Sequence, residues 1–357
     1  MYDLAIVGAG PAGATLARLL SKRYRILLVD RRELHKEVAS GKLIKSCGGL
    51  LAPDAQKVLA QLGLGLPEEV LVGPQLFVVR TIDLDQSFER YYQRFYVNID
   101  REKFDRWLVS LVADGVTKCF GTTFCGFQIE GEVTTLTLQR DGRRWQEKTR
   151  LLIGADGANS LVRKQASGSE NRVRQYIAIQ ERFRSEELMP YFTAIFARDI
   201  TDFYGWTIPK QNELLVGAAL APGPKAAAMF QKFKNRLRQY GLNWGEKTGR
   251  EGAFLLRPWF LQPSPVLDGV ALIGEAAGWI SPSSAEGVSY ALRSAILLAN
   301  CLQPGLQGAL RRYRGAARGL RLNLLGKNLK SPAMYQPLLR NLAMRSGLLS
   351  VRVYSSQ

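Results

Sequence analysis

A short glycine-rich turn near the start of the chain has the residue types needed to hold a diphosphate. It follows an apolar, β-branched run at residues 2–7 and opens a helical stretch at residues 14–21, so it joins a strand to a helix N-terminus. In such a turn Gly8 permits a tight bend, Gly10 lets a pyrophosphate approach the backbone, and Gly13 lets the helix pack on the strand. Five residues are predicted to contact the bound nucleotide: Gly8, Gly10, Pro11, Ala12 and Gly13.

An acidic residue after the next predicted strand can contribute to the same nucleotide-binding site. The strand covers residues 24–29 and is followed by Asp30, seventeen residues past Gly13. A carboxylate at that place can accept hydrogen bonds from a ribose diol and would repel a 2′-phosphate. Asp30 and its neighbour Arg31 are therefore predicted to bind an adenosine diphosphate moiety.

Two later turns repeat this arrangement, in which a short polar turn joins a buried strand to a helix. The first is an Asp-Gly turn after the apolar residues 151–153, with Ser160 placed to cap the helix that follows. The second follows residues 269–273 and leads into another helix. The three turns together predict a long dinucleotide lying across one sheet. The predicted contacts from the two later turns are Asp156, Gly157, Gly274, Glu275, Pro282, Glu286, Gly287 and Val288.

Length and composition define the kind of protein in which these turns lie. At 357 residues, with 46% hydrophobic and 22% charged residues, the chain is long enough for about two packed domains, and collagen-like and disordered classes are excluded. The 4 Cys form no C-x-x-C pair and the only His is His35, so neither a metal site nor a disulfide framework is predicted. We recognise no signal peptide and no run of about 18 apolar residues, and we expect a cytoplasmic protein.

Positive charge is concentrated at the end of the chain. The net charge is +18, of which residues 287–357 contribute +11 through eleven Lys or Arg and no acidic residue, and residues 1–286 contribute +7. Apolar residues in 306–324 recur at spacings of three and four, with arginines between them, as in an amphipathic helix. Such a segment can lie on an anionic membrane or pack on the body of the protein, and the sequence leaves both open. No nucleic-acid-binding motif accompanies it, so we expect no nucleic-acid partner.

The three turns together resemble those of the class A flavoproteins, whose fold is like that of para-hydroxybenzoate hydroxylase. In that group an N-terminal G-x-G-x-x-G, a D-G turn and a G-D turn all serve FAD, and the resemblance covers nearly the whole chain. Glu275 stands where the group has Asp, and its longer carboxylate keeps an acceptor there. The resemblance implies FAD as the cofactor, and it implies that Arg101 helps to hold FAD. The alternative is that Arg101 only pairs with Asp105 on the same helix.

Two further segments narrow the resemblance to the geranylgeranyl reductase family. Residues 45–49 read K-S-C-G-G, and residues 204–209 read Y-G-W-T-I-P, with Ile208 in place of the usual Phe. The wider run 47–56 is similar to that of the CbrA-type oxidoreductases within the family. The site residues that this resemblance implies are Lys45, Cys47 and Gly48 at the flavin, and Tyr204, Trp206 and Pro209 at the substrate.

The same resemblance implies reduction of carbon–carbon double bonds in an isoprenoid chain of a lipid or quinone by reduced FAD. Such bonds lack an activating carbonyl, so hydride delivery needs a proton donor, and Cys47 is the candidate. A free Cys is otherwise most often a small buried hydrophobic residue. Two other functions stay open: an FAD-dependent monooxygenase of the same fold, and a flavin-containing lipid-binding protein without turnover. The sequence leaves the electron donor open between NAD(P)H and ferredoxin. Because of the basic tail, we also include peripheral contact with the inner face of the membrane in the expected location.

The expected fold class is α/β, with a Rossmann-like FAD-binding domain, an inserted antiparallel β-sheet substrate domain and a C-terminal helical tail. Residues 75–96 and 176–217 alternate as sheet strands do and are predicted to form the inserted sheet. The predicted boundaries are 1–72, 97–165 and 254–300 for the FAD-binding domain, 73–96 and 166–253 for the substrate domain, and 301–357 for the basic tail.

Overall fold

Two β-sheets with helices packed on them make up the computed structural model of the chain, which confirms the α/β class and a helical C-terminal part. The structure describes residues 1–35, 46–168, 173–185, 190–260, 264–267 and 269–354. The strands are β1 (Tyr2–Val7), β2 (Ile26–Asp30), β3 (Leu50–Leu51), β4 (Leu76–Asp83), β5 (Phe88–Asn98), β6 (Thr117–Phe120), β7 (Thr123–Glu130), β8 (Val133–Arg140), β9 (Arg143–Gly154), β10 (Gln175–Arg184), β11 (Tyr191–Phe196), β12 (Gly205–Lys210), β13 (Glu213–Leu220), β14 (Lys247–Leu256), β15 (Val266–Leu267), β16 (Val270–Leu272) and β17 (Ser350–Val351). The helices are α1 (Pro11–Leu20), α2 (Pro53–Gln61), α3 (Arg101–Ser110), α4 (Leu161–Ser167), α5 (Ala226–Gln239), α6 (Val288–Leu302), α7 (Ala309–Ala316), α8 (Arg318–Tyr335) and α9 (Pro337–Ser346), and two 3-10 turns cover Glu68–Val70 and Gly274–Ala277.

The first sheet has β1 at its centre, in the order β15-β16-β9-β1-β2-β6, with β7 and β8 added as a hairpin beside β9. β1 pairs in parallel with β2 and β9, and the parallel pairing continues to β6 and β16. Its residues alternate between two apolar clusters, one containing Leu4 and Ile6 and the other Ala5 and Val7, so both faces are covered. Because β1, β9 and β16 run in parallel, their C-terminal ends meet at one edge of the sheet. Each of the three predicted turns begins at that edge.

The first strand and helix follow the sequence predictions closely. The strand predicted at residues 2–7 is confirmed as β1. The helix begins at Pro11 rather than Ala14, because proline suits the first helical position, where no N–H is needed. The second strand begins at Ile26 rather than Tyr24, because the amide of Tyr24 still bonds to the carbonyl of Leu20 and closes the end of α1.

The second sheet contains the segments that the sequence assigns to the substrate side. Its order is β14-β10-β13-β12-β11-β4-β5-β17, and β3 pairs with β5. All pairs along this path are antiparallel except β11 with β4. The strands predicted in residues 75–96 and 176–217 are confirmed as β4, β5 and β10 to β13.

The start of the basic tail packs on the first sheet. The segment 306–324, predicted as one amphipathic helix, is divided at Ala317 into α7 and the start of α8. Tyr313, Ala317 and Leu320 are buried in the apolar clusters beside the sheet, and the Tyr313 hydroxyl donates to the carbonyl of Leu272 at 3.0 Å. Of the two arrangements that the sequence leaves open, this segment takes the one in which it packs on the body.

Within the described residues, every helix is too short or too polar to cross a membrane.

Candidate functional site

The three predicted turns touch one another at the C-terminal edge of the first sheet. Gly8 has φ +104, and a Cβ there would overlap the carbonyl of Ala155 in the second turn. A Cβ at Gly13 would overlap the carbonyl of Gly8. A Cβ at Gly274, in the third turn, would lie 3.0 Å from the Cβ of Ala12. The first two contacts require glycine because two backbones meet there, and Gly274 is favoured by its φ of +57 together with its close fit against Ala12.

Arg163 ties the second turn to the third, and the sequence analysis did not single it out. It lies in α4, where its guanidinium donates to the carbonyl of Ala158 at 2.6 Å and to that of Ala276 at 2.8 Å. Burial lowers the pKa of Arg163 from its ordinary value, and the carboxylates of Asp156 and Glu275 oppose that effect. In the sequence, Arg163 is distinguished only by its place after the Asp-Gly turn, and many surface arginines could occupy a similar place.

Room for a phosphate group remains where α1 begins. A Cβ placed on Gly10 would have no heavy atom of the described residues within 4 Å, and no side chain caps α1 there. The longer helix α6 begins at Val288 after Gly287, also without a side-chain cap among the described residues. Two helix N-termini with open first turns provide N–H groups and a positive dipole for a diphosphate. These features fit the predicted dinucleotide, with Pro11 and Ala12 supplying the start of α1.

Asp30 is held against the first turn. Its Oδ2 accepts from the amide of Ala9 at 2.8 Å, and its Oδ1 accepts from the amide of Arg32 at 2.9 Å. Each oxygen also accepts from the Arg32 guanidinium, Oδ1 from Nε at 3.2 Å and Oδ2 from Nη2 at 3.4 Å, so both are occupied here and the contact with a ribose diol stays a prediction. Arg31 is exposed at the same edge.

Arg32 connects Asp30 to helix α3. Its Nη1 lies 2.9 Å from Asp105 and 3.4 Å from Glu102, and its Nε lies 3.2 Å from Asp30. Burial lowers the pKa of Arg32, but Asp105 and Asp30 outweigh burial and raise it above its ordinary value. The group therefore acts as a fixed cation that holds the end of β2 to the start of α3.

Cys47 and Arg101 are in contact. The Nη1 of Arg101 lies 3.5 Å from the Sγ of Cys47, while its Nε donates to Asp105 at 2.8 Å. The pairing with Asp105, which the sequence analysis gave as the alternative role of Arg101, is therefore present together with a contact to the predicted proton donor. Lys45, predicted at the flavin, lies outside the described residues.

The segment that contains Cys47 packs on β12, so the structure brings the two signature segments together. A Cβ on Gly48 would lie 2.7 Å from the Cδ1 of Ile208. Gly49 has φ +61, and a Cβ there would overlap the carbonyl of Ile99 and come within 2.6 Å of the Nζ of Lys210. These close approaches explain the two glycines after Cys47 and fix the position of the thiol relative to β12.

Lys210 is a buried lysine beside this segment that the sequence analysis did not identify as a site residue. Its ammonium donates to the side chain of Asn98 at 2.6 Å, to the carbonyl of Ile99 at 2.8 Å and to that of Gly49 at 3.1 Å. Burial lowers the pKa of Lys210 to about 7, although the nearby Cys47 opposes the change. The sequence places Lys210 at the end of a strand, and this position does not predict that its side chain is buried.

Two of the three predicted carboxylates of the later turns, Asp156 and Glu275, bond to backbone amides. Asp156 accepts from the amide of Leu161 at 2.8 Å and from the hydroxyl of Ser160 at 2.5 Å, and so caps α4 together with Ser160. Burial raises the pKa of Asp156. Gly157, next to it, has φ +78 and open space where a Cβ would stand. Glu275 accepts from the amide of Leu256 at 2.8 Å, so one of its oxygens supports the end of β14.

The loop between the third turn and α6 is fastened to the second sheet. Glu286 accepts from the Tyr96 hydroxyl at 2.7 Å and from the Arg94 guanidinium at 2.9 Å. The carbonyl of Pro282 accepts from the Nε of Arg257 at 3.1 Å. These bonds place the predicted residues before α6 at the boundary of the two sheets.

The three predicted substrate residues are buried, with Trp206 and Pro209 on β12 and Tyr204 directly before it. The Tyr204 hydroxyl donates to the carbonyl of Ser284 at 2.8 Å, and the rings of Tyr204 and Trp206 are 5.7 Å apart. The indole of Trp206 lies over Gly217 of β13, and its N–H has no hydrogen-bond partner among the described residues. The carbonyl of Pro209 accepts from the side chain of Asn98 at 2.8 Å.

The site as a whole defines a flavin-binding class of protein. The FAD binding domain family matches residues 1–181, and the chain belongs to that family. FAD is therefore the cofactor, as predicted, and the protein is an FAD-dependent oxidoreductase. Along almost its whole length the chain is also similar to Protein CbrA of Escherichia coli O6:H1, with 38% identity over 98% of this chain and 94% of that protein.

Solved structures share this fold. A geranylgeranyl bacteriochlorophyll reductase-like protein of Thermoplasma acidophilum superposes with a TM-score of 0.80 and 18% identity, over 99% of this chain and 92% of that chain. PqsL of Pseudomonas aeruginosa, a probable FAD-dependent monooxygenase, superposes with a TM-score of 0.69 and 17% identity, over 97% and 99% of the two chains. At these identities the likeness concerns the fold.

Proposed function

We propose that the protein reduces carbon–carbon double bonds in the isoprenoid chain of a lipid or quinone. One observation carries the proposal: the Cys47 segment packs directly on β12, which carries Trp206 and directly follows Tyr204, so a thiol and an aromatic cluster share one site. The fold likeness to a geranylgeranyl bacteriochlorophyll reductase-like protein supports the same choice of substrate.

The chain's own residues would supply the proton for this reaction. When bound, reduced FAD supplies a hydride for one carbon of the double bond. The thiol of Cys47 gives its proton to the other carbon and becomes a thiolate. The Arg101 guanidinium, 3.5 Å from Sγ, stabilises that thiolate, and Asp105 keeps Arg101 in place. A proton from solvent then restores the thiol. Repeated turnover would require an external electron donor, NAD(P)H or a ferredoxin, for the bound cofactor.

The direct test is anaerobic incubation of the photoreduced, FAD-loaded protein with a panel of geranylgeranyl lipids and prenylquinones. We expect reoxidation of the flavin together with a gain of two hydrogens in a lipid, detected by mass spectrometry. Reoxidation without a lipid product would contradict the proposal. A lipid that stays bound and leaves the flavin reduced would instead support a lipid-binding protein without turnover.

Replacement of Cys47 tests the proposed proton donor. Cys47→Ser should lower turnover by about 10²-fold or more, because general acid catalysis usually contributes that much, while FAD absorbance is retained. Cys125→Ser is the matched control, since Cys125 is also partly exposed and lies in β7 of the first sheet. Loss of bound FAD in Cys47→Ser would show that the thiol has a structural role.

A monooxygenase is the second candidate, because the fold also aligns with nearly the whole of PqsL. It requires oxygen consumption that is coupled to NAD(P)H oxidation and stimulated by substrate. Measurement of oxygen uptake with the same lipid panel separates the two functions, since a reductase consumes no oxygen stoichiometrically with product.

A further inference from the structure

Helix α9 buries an arginine and exposes leucines, which is the reverse of an ordinary surface helix. Its buried side carries Arg340 and Met344, and the Nε of Arg340 donates to Asp83 of β4 at 2.7 Å. Its outer side carries Leu338 and Leu342, which are 79% and 68% exposed. A helix that only covered the second sheet would place leucines inward and arginines outward. The arrangement therefore needs a partner for the leucines.

The exposed apolar surface continues beyond the helix. Leu348 and Leu349 are 73% and 83% exposed, and Leu349 has φ +62, a backbone conformation that is unfavourable for leucine. The segment is held in place, because β17 follows at once and pairs with β5 through Ser350 and Tyr92. The two leucines thus project from a fixed turn and not from a loose chain end.

Basic residues accompany these leucines. Arg345 and Arg352 are exposed on the same segment, and residues 287–357 as a whole contain no acidic side chain. We define the α9 surface by its seven members: Leu338, Leu339, Leu342, Arg345, Leu348, Leu349 and Arg352. Exposed leucines flanked by arginines are complementary to a bilayer with anionic lipids, into which the leucines insert while the arginines meet the headgroups.

We propose that the α9 surface docks the protein on an anionic bilayer. Charge argues against a second copy of the chain as the partner, since two such surfaces would bring only positive side chains together. The apolar face of residues 306–324 is buried against the first sheet, so it does not compete for this role. The proposal rests on exposure and charge, and it stands or falls independently of the reaction proposed above.

Vesicle sedimentation of the full-length, FAD-loaded protein tests this docking. We expect binding to vesicles of phosphatidylcholine with phosphatidylglycerol, and at least tenfold weaker binding to phosphatidylcholine alone or at high salt. Leu338→Ser with Leu342→Ser should weaken binding at least tenfold. Arg345→Gln should weaken it about fivefold, as expected for one basic residue near an anionic surface.

The matched control is Ile129→Ser with Phe254→Ser, two apolar residues that are also exposed but lie on β7 and β14. The control should bind vesicles as the unchanged protein does. Equal loss in the control and the leucine variant, or no binding of the unchanged protein to anionic vesicles, would overturn the proposal. So would a dimer, seen by light scattering, that the leucine substitutions dissociate.

Discussion

At the edge of the first sheet the site is built from backbone, whereas on the second sheet it is built from side chains. Gly8 and Gly13 are needed because main chains meet where a Cβ would stand, and Gly274 packs closely against the Cβ of Ala12. Tyr204 and Trp206, by contrast, are positioned by ring packing, and the Tyr204 hydroxyl also donates to the carbonyl of Ser284 in the loop before α6.

The two halves of the site should therefore tolerate substitutions differently. Backbone contact leaves no alternative to glycine, so that half should fail abruptly when a side chain is added. Side-chain packing can readjust to a similar shape, so the other half should respond gradually and show its changes first in substrate affinity.

The largest effect is expected at Gly13. Gly13→Ala would force the carbonyl of Gly8 away and should cost about 3 kcal/mol of unfolding free energy, with loss of bound FAD. Gly10→Ala is the matched variant, because its Cβ would meet open space among the described residues. It should keep the melting temperature of the apoprotein and weaken FAD binding at least about tenfold, since the methyl group occupies the predicted phosphate position. Equal melting temperatures of both variants would refute the contrast.

An intermediate effect is expected at Lys210, where a side chain supports the backbone of the Cys47 segment. Its pKa in the folded protein is about 7 and its ordinary value is 10.5, so between these values the unfolded chain binds more protons. The unfolding free energy of the unchanged protein should therefore rise with pH in this window, relative to Lys210→Met, by roughly 3 kcal/mol between pH 7 and about 9.5. Urea unfolding over that range measures it.

Lys57→Met is the control for Lys210, because Lys57 is exposed on α2. Its unfolding free energy should follow that of the unchanged protein at every pH. If the curve for Lys210→Met also stays parallel to the unchanged protein, Lys210 keeps its ordinary pKa and the argument from burial is wrong.

The smallest effect on stability is expected at Trp206. Trp206→Phe removes an indole N–H that has no partner among the described residues, and this offsets part of the loss of packing. We expect the unfolding free energy to change by about 1 kcal/mol or less in urea titration. The KM for an isoprenoid substrate should rise clearly if Trp206 lines the cavity as predicted. A large loss of stability with unchanged KM would place Trp206 in the core alone.

The same contrast explains which features the sequence could predict. The glycine turns follow from local spacing, and β1, Asp30 and the cap at Ser160 are found where expected. Lys210 could not be predicted, because its acceptors Asn98 and Ile99 are more than a hundred residues away and one of them is a backbone carbonyl.

The tail shows a second limit of sequence patterns. Periodic leucines indicate an apolar face but not what covers it. Leu320 is buried against the first sheet while Leu342 is exposed, although both belong to helical patterns with arginines nearby. Only the three-dimensional packing distinguishes a leucine of the core from one that awaits a partner.

The contact between the Tyr313 hydroxyl and the carbonyl of Leu272, and the pairing of β17 with β5, have a consequence for biosynthesis. Both sheets emerge from the ribosome before the residues that cover or extend them, so the nascent chain exposes apolar surface until translation is nearly finished. Premature termination after α6 should therefore give an aggregating fragment and not a smaller flavoprotein.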